Sequence, residues 1–107
     1  MNGRIEAVGA DLDASMEANS ARIIDATDKL VMPGGIDPHT HLAMPFMGQE
    51  ACDYFYSGHA AALAGGTTFH IDFALPVQHD LLEGYNEWRY TKAGPNAVMD
   101  YAFHMAV

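Results

Sequence analysis

The pattern of hydrophobic and polar positions changes near residue 33 of this 107-residue chain. Before that point, Arg4-Ile5-Glu6-Ala7-Val8 alternates polar and apolar positions, as a half-buried strand does, between Gly3 and Gly9. Residues 10–21 are polar and turn-like. Arg22–Ala26 and Lys29–Met32 read as two further short strands, and Pro33-Gly34-Gly35 ends the region with strong turn-forming residues. Residues 1–32 are therefore expected to be part of a small β-domain.

After Pro33 longer elements follow. Ile36–His41 is a short strand candidate, and Leu42–Cys52 is a loop of unusual apolar content. Asp53–Ala64 predicts a helix capped by Asp53, with Tyr56, Ala60 and Leu63 on one face and Gly65-Gly66 as its stop. Thr67–Phe73 is rich in β-branched and aromatic residues, which favours a strand. Asp80–Lys92 predicts a second helix, with Leu81, Tyr85 and Trp88 on one face and Gly84 as a weak point. Ala97–Val107 is a largely apolar third strand. The order β-α-β-α-β, with a repeat near 30 residues, suits parallel strands joined by crossover helices. A complete (β/α)8 barrel needs about 250 residues, so 107 are expected to hold only part of one.

Composition narrows the function. Half the residues are apolar, enough for a core, and no apolar run approaches the roughly 20 residues of a membrane span. Five scattered basic residues against a net charge of −9 offer no track for a phosphate backbone, so neither nucleic acid nor anionic membrane is an expected partner. Residues 1–10 do not resemble a secretory signal. The single cysteine, Cys52, excludes an internal disulfide and favours a reducing, cytoplasmic setting. It is expected to be a small buried residue.

The sharpest chemical feature is Asp37-Pro38-His39-Thr40-His41. Residues i and i+2 of an extended chain share a side, so His39 and His41 would present two imidazoles to one point. Neutral imidazole is a good zinc ligand, but a catalytic zinc wants about three protein ligands and an open position. Taken alone, the pair reads more readily as two partly exposed histidines in a turn after a strand than as a metal site. Pro38 cannot donate to a ladder, so the regular strand should finish there, and barrels place reactive groups at that end of their strands. His70 and Asp72 share a face of the second strand and read as hydrogen-bonded core groups or as supports for the ligands. His104 reads as structural, His59 and His79 as solvent-facing, and Asp37 as a fixer of local backbone.

The run Val31-Met32-Pro33-Gly34-Gly35-Ile36-Asp37-Pro38-His39-Thr40-His41-Leu42 resembles the metal-binding signature of the amidohydrolase superfamily. Ala43-Met44-Pro45-Phe46-Met47-Gly48, Ala64-Gly65-Gly66-Thr67-Thr68 and Asp100-Tyr101-Ala102-Phe103-His104 narrow the resemblance to dihydropyrimidinases and hydantoinases. It implies an α/β protein: the first strands of a metal-dependent hydrolase (β/α)8 TIM barrel in residues 33–107, preceded by part of a small β-sandwich domain in residues 1–32. It also implies that His39 and His41 bind the more buried of two divalent metal ions, usually zinc. A carboxylated lysine bridging the metals, two further histidines and an aspartate would lie on later strands. A hydroxide held between the metals would open dihydropyrimidine or hydantoin rings to N-carbamoyl amino acids. No catalytic residue is expected within the segment itself, which alone should be inactive and poorly stable.

Dihydroorotases resemble this pattern but carry Arg at the position of Ala43, where it grips a substrate carboxylate. Met44, Phe46 and Met47 fall in a loop that the resemblance assigns to the substrate pocket, although they also read as residues that pack the loop onto the barrel. Asp28 stands where a turn glycine is common, and Tyr54 where an acidic residue is frequent, at the start of the helix. The resemblance further implies a small cyclic amide as substrate and a dimer or tetramer of the complete protein. The alternatives are a non-enzymatic dihydropyrimidinase-related adaptor, an allantoinase or dihydroorotase, and a remnant of a gene.

Overall fold

The structure is a computed structural model that describes residues 3–10, 12 and 22–107. The described residues divide between Met32 and Pro33 into two units. In the first, Arg4–Val8, Arg22–Ala26 and Lys29–Met32 join no ladder among the described residues, and Ile5, Val8, Ile24 and Leu30 are strongly exposed. Alternation supplies a face to bury, but a strand exists only through hydrogen bonds to a neighbour. A turn is present instead: the Asp25 carboxylate accepts from the backbone N–H and hydroxyl of Thr27, and Lys29 N–H donates to Ala26 O. Asp28 takes the left-handed conformation there, at φ 59°. Most of the polar stretch 10–21 lies outside the described residues.

The second unit holds a parallel sheet of three strands: β1 (Gly35–Thr40), β4 (Thr67–Ala74) and β5 (Asp100–Met105), in the order β1-β4-β5. The expected β-α-β-α-β order is therefore present. The segment Leu42–Cys52, expected to be a loop, contains a small antiparallel hairpin of β2 (Pro45–Phe46) and β3 (Gln49–Glu50). Helix α1 (Phe55–Ala64) follows it. Between β4 and β5 run α2 (Leu81–Asn86) and a π-helical segment, Glu87–Ala93, where one continuous helix was expected.

β1 does not end at Pro38. It continues to Thr40 across an irregularity in register: Asp37 pairs with His70 and Thr40 with Asp72, so β1 uses one residue more than β4 between those pairs. This is a β-bulge at Pro38-His39, and a residue without an N–H costs the ladder nothing there. The bulge resets the alternation. Regular pairing would turn Asp37, His39 and His41 to one face. Here Asp37 and Thr40 turn toward the helices, and His39 and His41 turn to the opposite face, against Phe73.

The helix side of the sheet carries the core. Ala43, Phe55, Ala74, Trp88 and Ala93 are buried, with Leu42, Leu75, Tyr101, Phe103 and Met105 packed around them. The Phe55 ring lies within 6.2 Å of the rings of His59, His70, Tyr101 and Phe103. The face of α1 that packs is therefore Phe55, Gly58, His59 and Ala62, while Tyr56 and Leu63 are exposed. This overturns the expected Tyr56–Ala60–Leu63 face and the solvent-facing His59. Hydrophobic spacing alone leaves the rotation of so alanine-rich a helix open, and the contacts made by Phe55 and His59 decide it. Asp53 is also displaced from its expected capping role by one position. Tyr54 is the N-cap residue, Ser57 Oγ accepts its N–H at 3.1 Å, and Asp53 accepts from the Ser57 hydroxyl at 3.0 Å.

Asp80 caps α2, its carboxylate accepting from Glu83 N–H at 2.9 Å. Gly84, a weak point by helix propensity, is buried where α2 crosses the end of β4. A Cβ at Gly84 would run into the Leu75 carbonyl and Pro76 Cα. Backbone atoms have little freedom to yield, so Gly84→Ala is expected to destabilise the full-length protein by about 1–3 kcal/mol despite the better helix propensity of alanine. Urea unfolding measures this, and a stabilised variant would show that the approach is looser than described.

Candidate metal centre

The bulge and the anchored residues on either side of it produce the site. His39 N–H donates to Asp37 Oδ1 at 3.1 Å, which is the backbone role expected for Asp37. Leu42 N–H donates to Asp72 Oδ2 at 3.0 Å. Thr40 and Leu42 are thus tied toward the helices, and His39 and His41 project from the other face. Their Nε2 atoms stand 3.1 Å apart, and both rings rest on Phe73 with centroids 4.6 and 5.2 Å away. Two nitrogens at 2.0–2.1 Å from one tetrahedral zinc lie about 3.4 Å from each other, so the pair is close to the separation of neighbouring ligands. Two imidazole nitrogens facing one another also suit the borderline-soft ions zinc and cobalt. Among the described residues no group of three or more His, Cys, Asp or Glu side chains converges on a metal position.

His104, on β5, packs against Phe73 with ring centroids 4.9 Å apart and donates from Nε2 to the Pro38 carbonyl at 3.1 Å. It supports the bulge and does not join the pair formed by His39 and His41. His79 is exposed, at φ 68°. Cys52, expected to be buried, is exposed in the loop before α1.

Beside His41 opens a cavity of about 530 Å3 lined by His41, Met44, Phe46, Met47, Gln49, Glu50 and Ala51. This size suits a small ligand. The hairpin brings Met44, Phe46 and Met47 to one wall with His41. Met47 and Gly48 form its turn at φ 49° and 78°. Among the described residues neither Lys nor Arg lines the cavity, and Glu50 brings a carboxylate to it. Ala43 is buried at φ 51° and does not line the cavity. Its N–H donates to Asp53 O at 2.8 Å, and its carbonyl accepts from Lys92 Nζ at 2.7 Å. The Lys92 ammonium also lies 4.0 Å from the centre of the Trp88 ring.

On the opposite face of the sheet from His39 and His41 lies a polar cluster whose extent sequence reading missed. His59, His70 and Asp72 are almost wholly buried. His70 Nδ1 is 2.6 Å from Thr40 Oγ1, and His70 Nε2 is 2.7 Å from His59 Nε2. His59 Nδ1 accepts from Val98 N–H at 3.1 Å. Burial pushes His59 down, and burial reinforced by His59 pushes His70 down to about 4. Burial pushes the Asp72 carboxyl up to about 6, against the N–H groups of Leu42 and Phe73 and the charges of His41 and Lys92, which favour its ionised form. The His70-Ile71-Asp72 spacing identified two core polar groups. The signal for the third was Phe55 and His59 at helical spacing, overlooked because histidine at a helix surface is common.

The shifts of Asp72 and His70 act on stability with opposite sign. Asp72 is raised from 3.8 to about 6, so the folded protein keeps a proton that the unfolded chain has released, and its contribution falls as pH rises through that range. His70 is lowered from 6.5 to about 4, so its contribution is full above 6.5 and is lost as pH falls toward 4. Asp72→Asn removes the first effect and leaves the second. Its stability is expected to rise more steeply with pH between about 4 and 6.5 than that of the native full-length protein. Denaturation midpoints across that range provide the comparison, and parallel curves would place Asp72 at an ordinary value.

The profile of the Amidohydrolase family matches residues 30–102. The chain is 54% identical over 106 residues to a dihydropyrimidinase of Arabidopsis thaliana, an alignment covering 99% of this chain and 19% of that relative. It is 47% identical over 106 residues to a D-hydantoinase of Geobacillus stearothermophilus, covering 99% of this chain and 22% of that one. The crystal structure of dihydropyrimidinase from Brevibacillus agri NCHU1002 superimposes with a TM-score of 0.84 at 46% identity, over 94% of this chain and 21% of that structure. The chain thus spans about a fifth of the length of the relatives it matches.

Proposed function

Because this chain belongs to the amidohydrolase family, we propose that the whole protein is a metal-dependent cyclic amide hydrolase that opens dihydropyrimidine or hydantoin rings to N-carbamoyl amino acids. Its sheet and helices are the opening part of the (β/α)8 barrel of that family. The observation that carries the proposal is the convergence of His39 and His41, at the C-terminal end of β1, beside a cavity walled by Met44, Phe46 and Met47.

His39 and His41 would hold one divalent ion through their Nε2 atoms. Such an ion supplies Lewis acidity for the ring carbonyl and a nucleophile from water at neutral pH. The chain's own residues do the remaining work. Phe73 backs both imidazoles, and His41 lines the cavity. The apolar hairpin wall excludes water from an uncharged ring and favours its burial. Ala43 stands where dihydroorotases carry Arg, which supports an uncharged ring over a substrate bearing a carboxylate. Hydrolysis adds water across the ring C–N bond, leaving a carboxylate and returning a proton to the ring nitrogen.

Zinc as the metal, a second ion bridged by a carboxylated lysine, two further histidine ligands and a proton-shuttling aspartate belong to this reading by resemblance. So does assembly as a homodimer or homotetramer, while a cytoplasmic setting rests on the single cysteine. Among the described residues no helix is long and apolar enough to cross a membrane.

The test is a substrate panel on the full-length, metal-loaded protein. Ring opening of 5,6-dihydrouracil or a 5-substituted hydantoin, read as release of the N-carbamoyl amino acid, is the expected result. His39→Ala or His41→Ala should lower bound metal and reduce kcat/KM by more than the 10–100-fold typical of losing a partner of a ligand. A full-length protein that binds no metal and opens no ring would instead be an adaptor, and a preference for dihydroorotate would overturn the substrate assignment.

A further inference from the structure

We propose that His59 and His70 are positioning residues that fix the metal-ligand pair from the opposite face of the sheet, by holding the Thr40 hydroxyl between the two ligands. The inference rests on the reading of His39 and His41 as ligands.

The direction of every hydrogen bond in the cluster follows from one backbone group. Val98 N–H can only donate, so His59 Nδ1 accepts and His59 carries its proton on Nε2. That proton points at His70 Nε2, 2.7 Å away, which must accept. Neutral His70 then carries its proton on Nδ1 and donates it to Thr40 Oγ1 at 2.6 Å. The Thr40 hydroxyl is left to donate to Ile71 O at 3.4 Å. Each ring nitrogen has one partner and one role. An added proton breaks the chain at either ring: on His59 Nδ1 it opposes the Val98 N–H, and on His70 Nε2 it sets two N–H groups against each other. Burial, which disfavours the charged form of both rings, keeps the chain neutral at ordinary pH.

The position of Thr40 gives this chain its consequence. Pro38-His39 forms the bulge, so regular pairing with β4 is interrupted where the ligands begin. A bulged segment is held less by its ladder than a regular strand. Thr40 is the first residue to pair again, opposite Asp72, and its two peptide planes lead directly to His39 and His41. A donor fixed at 2.6 Å on its side chain sets the depth and rotation of that residue. Two buried imidazoles are a costly way to fill space beside Phe55 and Tyr101, where apolar side chains would pack without desolvation. A directed chain ending on the residue between two ligands gives that cost a use.

The test uses cobalt(II) as probe in the full-length protein, with binding and d–d absorption as readouts beside thermal melts. Thr40→Val keeps the shape and removes the hydroxyl. His59→Phe keeps the ring and removes both nitrogens. Each is expected to weaken cobalt binding about tenfold and to alter the absorption envelope. The double variant should bind no more weakly than either single one, because both break the same chain. His59→Gln, which keeps a donor and an acceptor, should restore most of the affinity. Native-like affinity in Thr40→Val, or additive losses in the double variant, overturns the inference. If His59→Phe does not fold, Thr40→Val and His59→Gln decide by the same readouts. His39→Ala tests the underlying reading separately: native-like cobalt binding in that variant would remove the ligand pair itself, and this inference with it.

Discussion

One extra residue in β1 is the constraint on which the rest depends. Pairing of Asp37 with His70 and of Thr40 with Asp72 leaves Pro38-His39 without regular partners and reverses the phase of the strand. Polar groups that would otherwise compete for one face are thereby sorted onto two. Asp37, Thr40 and Leu42 go to the helix side, and two imidazoles go to the other. The bulge is stabilised from several directions: by Asp37 on the His39 N–H, by His104 on the Pro38 carbonyl and by Asp72 on the Leu42 N–H. A carboxylate buried as deeply as Asp72 is costly, and its two backbone donors offset part of that cost.

Much of this arrangement was legible in the sequence because it rests on spacing. His39 and His41 two apart and a strand-helix repeat near 30 residues both translate into structure without knowledge of neighbours. The resemblance added the barrel and the pocket loop, and the hairpin does bring Met44, Phe46 and Met47 alongside His41. The reason the histidines share a face was not legible. Simple alternation predicted the right result, yet it would have placed Asp37 with them. Their common face away from Asp37 is created by the bulge, which leaves no mark in composition beyond Pro38.

What sequence reading lost was decided by partners. The buried face of α1 is set by the hydrogen bond of His59 to His70 and by the Phe55 ring, both long-range contacts. Arg4–Val8, Arg22–Ala26 and Lys29–Met32 carry strand-like patterns but join no ladder among the described residues, because pattern specifies a face and pairing specifies a strand. Gly84 looked like a defect when judged by propensity alone. Its meaning appears only where the carbonyl of Leu75 comes against it.

The π-helical segment Glu87–Ala93 carries a different kind of information. Gly94 N–H reaches back five residues to Arg89 O, so the segment holds more residues per turn than an α-helix. Lys92 at its end reaches across to the Ala43 carbonyl, at the start of the loop that walls the cavity. Five steps of a π-helix turn about as far as four of an α-helix, so an α-helix with one residue fewer between Glu87 and Lys92 would bring Lys92 to nearly the same angle around the axis. The start of the loop that walls the cavity is thus held by a segment with one residue to spare. Over evolutionary time, that stretch should lose a single residue with less harm than a regular helix would.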